Sequence, residues 1–266
     1  MNILPDHRWH APTSGAVPWR ERAAFAMAVL VVLLLSWWWI VAMARDMYRA
    51  MTGPSAWMMT GVWDGWHLLL LWTMWAVMMA AMMLPSAWPM LTMYAALSRR
   101  QPSNRQQPRY LYLFSAGYVL VWALFSVAAT VLQRALAGLL LLSPMMELTS
   151  PRAGAALLAL AGVYQFTPLK RICLRTCRSP ISFLMGHWRP GSVGAFRMGI
   201  DHGVYCVGCC WALMLLLFVG GVMNLYVIAA LTTLVALEKV ARAGELGSRL
   251  SGGLLIALAV WILARP

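Results

Sequence analysis

One histidine and three cysteines fall within nine residues of an otherwise apolar run, DHGVYCVGCCWALM at residues 201–214: His202, Cys206, Cys209 and Cys210. The chain has 5 cysteines, and the other two, Cys173 and Cys177, lie upstream in KRICLRTCRSP. On an α-helix, with His202 at zero, Cys206 falls at about 40°, Cys209 at about −20° and Cys210 at about 80°, so the four share one arc. Thiolates with an imidazole on one face suit a soft ion, Cu(I) or Zn(II). Cys206 and Cys209 also form a CxxC pair, for which thiol–disulfide exchange is the competing chemistry. Cys173 and Cys177, at i and i+4, are candidate further ligands, either completing a tetrahedral site or receiving the metal and passing it to Cys206. Asp201 is placed to cap the start of the helix, whose N-terminus would favour thiolate nearby. Arg171, Arg175 and Arg178 are expected to lower the thiol pKa values of Cys173 and Cys177.

Other residues gather around these. Met74, Met78 and Met82 recur every four positions, and thioethers hold Cu(I) without adding charge. Such a stripe is a candidate path for the ion, although methionine is also an apolar filler that packs at no cost in lipid. Tyr164 and Gln165, ahead of Cys173, are candidates for orienting ligands. Glu238 is an acid close to the bilayer and a candidate of the same kind, or else an ion-pair partner of Arg242 at i+4. His187 is near the cysteines in sequence, and Asp64 and Glu147 read as loop or cap residues.

These groups need a scaffold, and composition fixes its class. Of 266 residues, 62% are hydrophobic and 11% charged, against about 25% charged in ordinary globular chains. That excess must be buried in lipid. The net charge of +13 is spread in short basic runs between apolar stretches, which excludes a nucleic-acid-binding reading and fits membrane topology. The expected fold is all-α, a polytopic transmembrane helical bundle of about seven spans: 23–44, 66–84, 110–133, 153–169, 202–221, 223–240 and a short 251–264. Pro85 and Pro89 are expected to break or kink the second. A cytoplasmic N-terminus places only Arg45, Arg49, Arg134, Arg152 and Arg265 of the 21 Lys and Arg residues outside, as the positive-inside rule requires. Residues 1–22 then form a cytoplasmic tail and 23–266 the membrane domain. Both cysteine groups come to the cytoplasmic face, where reducing conditions favour metal binding over disulfides.

GVYQFTPLKRICLRTCRSP (Gly162–Pro180) with GIDHGVYCVGCCWALM (Gly199–Met214) resembles a family of uncharacterised bacterial inner-membrane proteins, predicted to bind metal. WAVMMAAMMLPSAWPM (Trp75–Met90), GGVMNLYV and the later Glu238-Lys239 are similar to its pattern. The likeness covers roughly Trp66–Val240. It implies a polytopic helical protein of the bacterial inner membrane that binds a metal, without a reaction. Phosphate-binding GxxxxGK[ST] and zinc-protease HExxH motifs do not occur. The expectation is therefore a copper- or zinc-handling protein rather than an enzyme, working beside lipid with a metal chaperone or membrane metalloenzyme as partner. A thiol–disulfide oxidoreductase using Cys206 and Cys209, or an assembly subunit with a structural metal, are the alternatives.

Overall fold

The computed structural model describes residues 19–47, 64–98, 107–143, 146–241 and 244–265. Among these the regular structure is helical, apart from one isolated bridge between Leu142 and Leu148. The helices are α1 (Trp19–Met47), α2 (Gly65–Ser98), α3 (Gln107–Gly138), α4 (Pro151–Tyr164), α5 (Pro168–Arg178), α6 (Pro180–His187), α7 (Gly191–Met214), α8 (Leu217–Gly220), α9 (Leu225–Val240) and α10 (Gly244–Ala264). Five stretches are long and apolar enough to cross a membrane: Ala23–Met47, Gly65–Ser98, Arg109–Gly138, Gly191–Gly220 and Gly244–Ala264. The fourth and sixth expected spans are α4 and α9, of 14 and 16 residues, and fall short of that length. The final segment, expected to be short, begins earlier and runs for 21 residues.

Local chemistry accounts for the helix starts. Pro151, Pro168 and Pro180 each stand in the first turn, where a missing N–H is harmless and the ring pre-sets φ. Ser150 and Thr167 accept hydrogen bonds from the amides of Ala153 and Lys170, and Asn224 caps α9 in the same way. Asp64 accepts from the His67 amide at 2.8 Å, so its reading as a cap residue agrees with the structure. Pro85 and Pro89 do not break α2, which continues to Ser98. In that stretch the Ser86 and Thr92 hydroxyls bond to the carbonyls of Met83, Trp88 and Pro89.

Two departures from expectation reshape the site. The fifth span begins at Gly191 rather than near His202. His202 and the cysteines therefore lie well inside α7, and Asp201 is not an N-cap; its carboxylate faces Arg189 at 3.3 Å. The stretch between the fourth and fifth expected spans folds into α5, α6 and the first turns of α7.

The core joins α2, α3, α4, α7 and α9, with its methionines concentrated on α2. Helix α7 packs most extensively on α3. At their crossing a methyl group on Gly199 would overlap the Phe114 carbonyl. Such close backbone approach at small residues is how helices of spanning length associate in lipid. Helix α5 lies across α7. It buries Lys170, Cys173 and Leu174 and leaves Arg171 and Arg175 outside, an amphipathic pattern of period 3.6.

Candidate metal centre

Cys206, Cys209 and Cys210 are each 1% exposed. Their i, i+3, i+4 spacing puts the thiols on the side of α7 that faces the core. The Cys209 and Cys210 thiols donate back to the Cys206 carbonyl, at 3.1 and 3.0 Å. Cys206 itself is the hub. Its Sγ lies 3.1 Å from the Tyr118 hydroxyl on α3 and accepts from Lys239 Nζ on α9 at 3.0 Å. Tyr118 also donates to the Met83 carbonyl at 3.2 Å.

Helix α5 delivers the remaining two thiols. Cys177 lies beside Cys206 and Cys209. Cys173 abuts Gly208, where an added methyl would lie 2.7 Å from its Sγ; glycine at 208 is what lets the two helices close here. All five cysteines are free thiols. The expectation that neighbouring arginines depress the pKa values of Cys173 and Cys177 is overturned. Burial pushes the Cys173 thiol up, and hydrogen bonding to Cys206 and Cys209 pushes Cys177 well above the usual thiol range. Arg175 turns outward to Glu245 at 2.6 Å, and Arg178 donates to the Ala241 carbonyl at 2.7 Å.

His202 is buried, but among rings rather than thiols. Its imidazole lies 5.5 Å from the rings of Tyr118 and Phe183 and 6.1 Å from Phe114, centroid to centroid. Its Nδ1 has no hydrogen-bond partner, and a buried nitrogen left without one is costly unless something binds it. His187 stacks on Phe183 at 4.7 Å instead of approaching the cysteines.

Met74, Met78 and Met82 are fully buried in the core cluster. The α2 thioether that reaches the site is a different one, Met83, whose Sδ is 3.9 Å from Cys210 Sγ and 3.8 Å from Lys239 Nζ. Tyr164 donates to the Gly208 carbonyl at 2.5 Å, bracing the turn that carries Cys206 and Cys209. Gln165 and Glu238 belong to a separate polar group. Glu238 accepts from Lys170 at 2.5 Å, Gln165 at 2.9 Å and Ser251 at 3.2 Å, and Ser248 donates to Gln165 at 3.1 Å. Arg242, the partner expected for Glu238, lies outside the described residues; the pair formed is with Lys170.

Sequence reading missed Lys239, Tyr118 and Met83. Lys239 entered only as part of the Glu238-Lys239 likeness, and nothing local tied it, Tyr118 or Met83 to a cysteine far away in the chain. Among the described residues no group of three or more His, Cys, Asp or Glu side chains converges on a point as metal ligands would. The geometry gives the reason: two thiols are turned onto a backbone carbonyl and the third contacts an ammonium. The donor set nevertheless suits a soft ion, with five thiols and a thioether, while the orphaned His202 nitrogen lies apart among rings.

The sequence profile of a family described as a copper chaperone, PpoB2, matches residues 72–262. No curated protein and no solved structure matches the chain.

Proposed function

Because the chain belongs to this family of copper chaperones, we propose that it carries Cu(I) as cargo on a thiol cluster built inside a multi-pass bacterial inner-membrane protein. The resemblance noted from the cysteine segments thus leads to a family described by a copper function rather than an uncharacterised one. The observation that carries the reading is the meeting of cysteines from two helices, α5 and α7, beside the Met83 thioether. Copper suits that mixture better than zinc, since thioethers favour Cu(I) and add no charge.

Cys206, Cys209 and Cys177 are the proposed principal ligands, with Cys210, Cys173 and His202 beside them. Cys177 is only half-buried, whereas the α7 thiols are buried. A donor or acceptor protein therefore meets Cys177 first, and copper moves inward by exchange of one thiolate for another. Each thiol that takes the metal releases its proton, so loading weakens as pH falls. Met74, Met78 and Met82 extend soft donors from the site along α2 as a route for the ion. The partner is a copper-donating chaperone or a copper enzyme at the same membrane. The proposed topology keeps seven crossings with the N-terminus inside, which sets Cys173 and Cys177 on the cytoplasmic side.

The test is metal content by mass spectrometry on the full chain, purified anaerobically in detergent and offered Cu(I) and Zn(II). Wild type should hold about one copper per chain, and Cys206→Ser/Cys209→Ser should lose it while still inserting in the membrane. Unchanged copper in that variant would sink the proposal. Protein free of metal throughout would turn attention to thiol exchange, which mixed-disulfide trapping detects.

A further inference from the structure

Lys239 is a buried cation whose contacts are unusual for one. Its Nζ lies 3.0 Å from Cys206 Sγ, 3.1 Å from Ser86 Oγ and 3.8 Å from Met83 Sδ. Among the described residues no carboxylate pairs with it. The adjacent acid, Glu238, is turned away onto Lys170, Gln165 and Ser251. The two neighbours thus serve different masters: Glu238 neutralises α5, and Lys239 projects its charge onto the sulfur cluster.

A buried ammonium left without a carboxylate is costly unless it has electrostatic work to do. An ion held by Cys206 must sit within a few ångströms of Nζ, because both share one sulfur. In a low-dielectric interior, repulsion there is strong and scales with the charge of the ion. For the same ligand set, a divalent ion meets twice the repulsion of a monovalent one. Ligand softness separates copper from hard ions but does not separate soft monovalent from soft divalent ions. A fixed positive charge does.

We propose that Lys239 is a specificity-determining residue that makes the thiol cluster select soft monovalent ions, Cu(I) and Ag(I), against soft divalent ions, Zn(II) and Cd(II). This inference rests on the copper reading above. It assigns Lys239 no bond to the metal. The residue acts by charge, from a position held by Ser86 and the Met83 thioether on one side and Cys206 on the other.

The experiment measures affinities of the detergent-purified full chain for all four ions, by competition with chromophoric chelators at one fixed pH. Lys239→Gln removes the charge and adds no sulfur donor; Lys239→Leu is a second uncharged variant should the first fail to reach the membrane. The expected result is that Zn(II) and Cd(II) gain on Cu(I) and Ag(I) by at least about tenfold, Cd(II) moving with Zn(II) and Ag(I) with Cu(I). A merely structural role would weaken all four ions together and leave the ratios unchanged, and that result would overturn the proposal. Wild type that binds Cu(I) and a variant with unaltered ratios would overturn the charge selection alone. Wild type that binds none of the four would remove the copper reading with it.

Discussion

Cys206 is contacted from more directions than any other thiol here: an ammonium from α9, a phenol from α3, Cys177 of α5 and the cysteines of its own helix. Cys177 is the outlying member and offers a probe of the cluster. Its thiol, hydrogen-bonded to Cys206 and Cys209, is held well above its ordinary value of 9.0. A raised thiol pKa means that the reactive thiolate gains population only as pH rises through the raised value. Iodoacetamide should therefore label Cys177 more slowly at about pH 8 than a cysteine in an unfolded peptide, with the rate still climbing above about pH 9. Site-resolved mass spectrometry of the full chain reads this directly. A rate that levels off at or below the ordinary thiol value would show that the contacts to Cys206 and Cys209 do not hold the proton.

Helix α5 carries two of the five thiols and is fastened by an ion pair. Lys170 and Glu238, 1% and 2% exposed, meet at 2.5 Å, joining α5 to α9. Breaking such a pair from one side leaves a buried charge without compensation, which costs about 3–5 kcal/mol. Glu238→Gln should lower the unfolding midpoint in detergent accordingly, and Lys170→Met added to it should restore much of the loss, since two neutral groups carry no such penalty. If the double variant is no more stable than the single one, the pair is not what fastens α5. Copper retention in the same variants reports whether the fastening serves the site, because α5 leaning away from α7 separates Cys173 and Cys177 from Cys206.

At the scale of the whole molecule, the number of crossings decides which side of the membrane the thiols of α5 face. Helices α1, α2, α3, α7 and α10 supply the stretches of spanning length, and α4 and α9 are shorter. If all seven cross, α5 and α6 lie on the same side as the N-terminus; if only the five long ones cross, they lie on the opposite side. Lys170, Arg171, Arg175 and Arg178 on α5 favour the cytoplasm. Alkaline phosphatase fused after Trp188 should therefore be inactive, and a fluorescent protein at the same point should glow. An active phosphatase fusion would place the thiols outside and overturn the proposed cytoplasmic side.

Much of this was legible in the chain. Apolar runs of spanning length dictate helices, because only a helix satisfies its own backbone in lipid. The i, i+3, i+4 spacing of Cys206, Cys209 and Cys210 places them on one face of whichever helix holds them. Soft donors in that number already pointed to a soft metal, copper or zinc. Helix ends were less legible: Gly191–Ile200, with three glycines and an arginine, reads as loop, yet α7 runs through it and Gly199 lets it press against α3. That extension removed Asp201 from its expected cap. Only the tertiary structure decided what surrounds the thiols. It put His202 among aromatic rings, exchanged the regular methionine series for Met83 at the cluster, and sent Glu238 and Lys239 to different partners. Consecutive residues on a helix point about 100° apart, so neighbours in sequence need not share an environment. Which one faces sulfur depends on how α9 docks on α2 and α7, and that packing is set by contacts far apart in the chain.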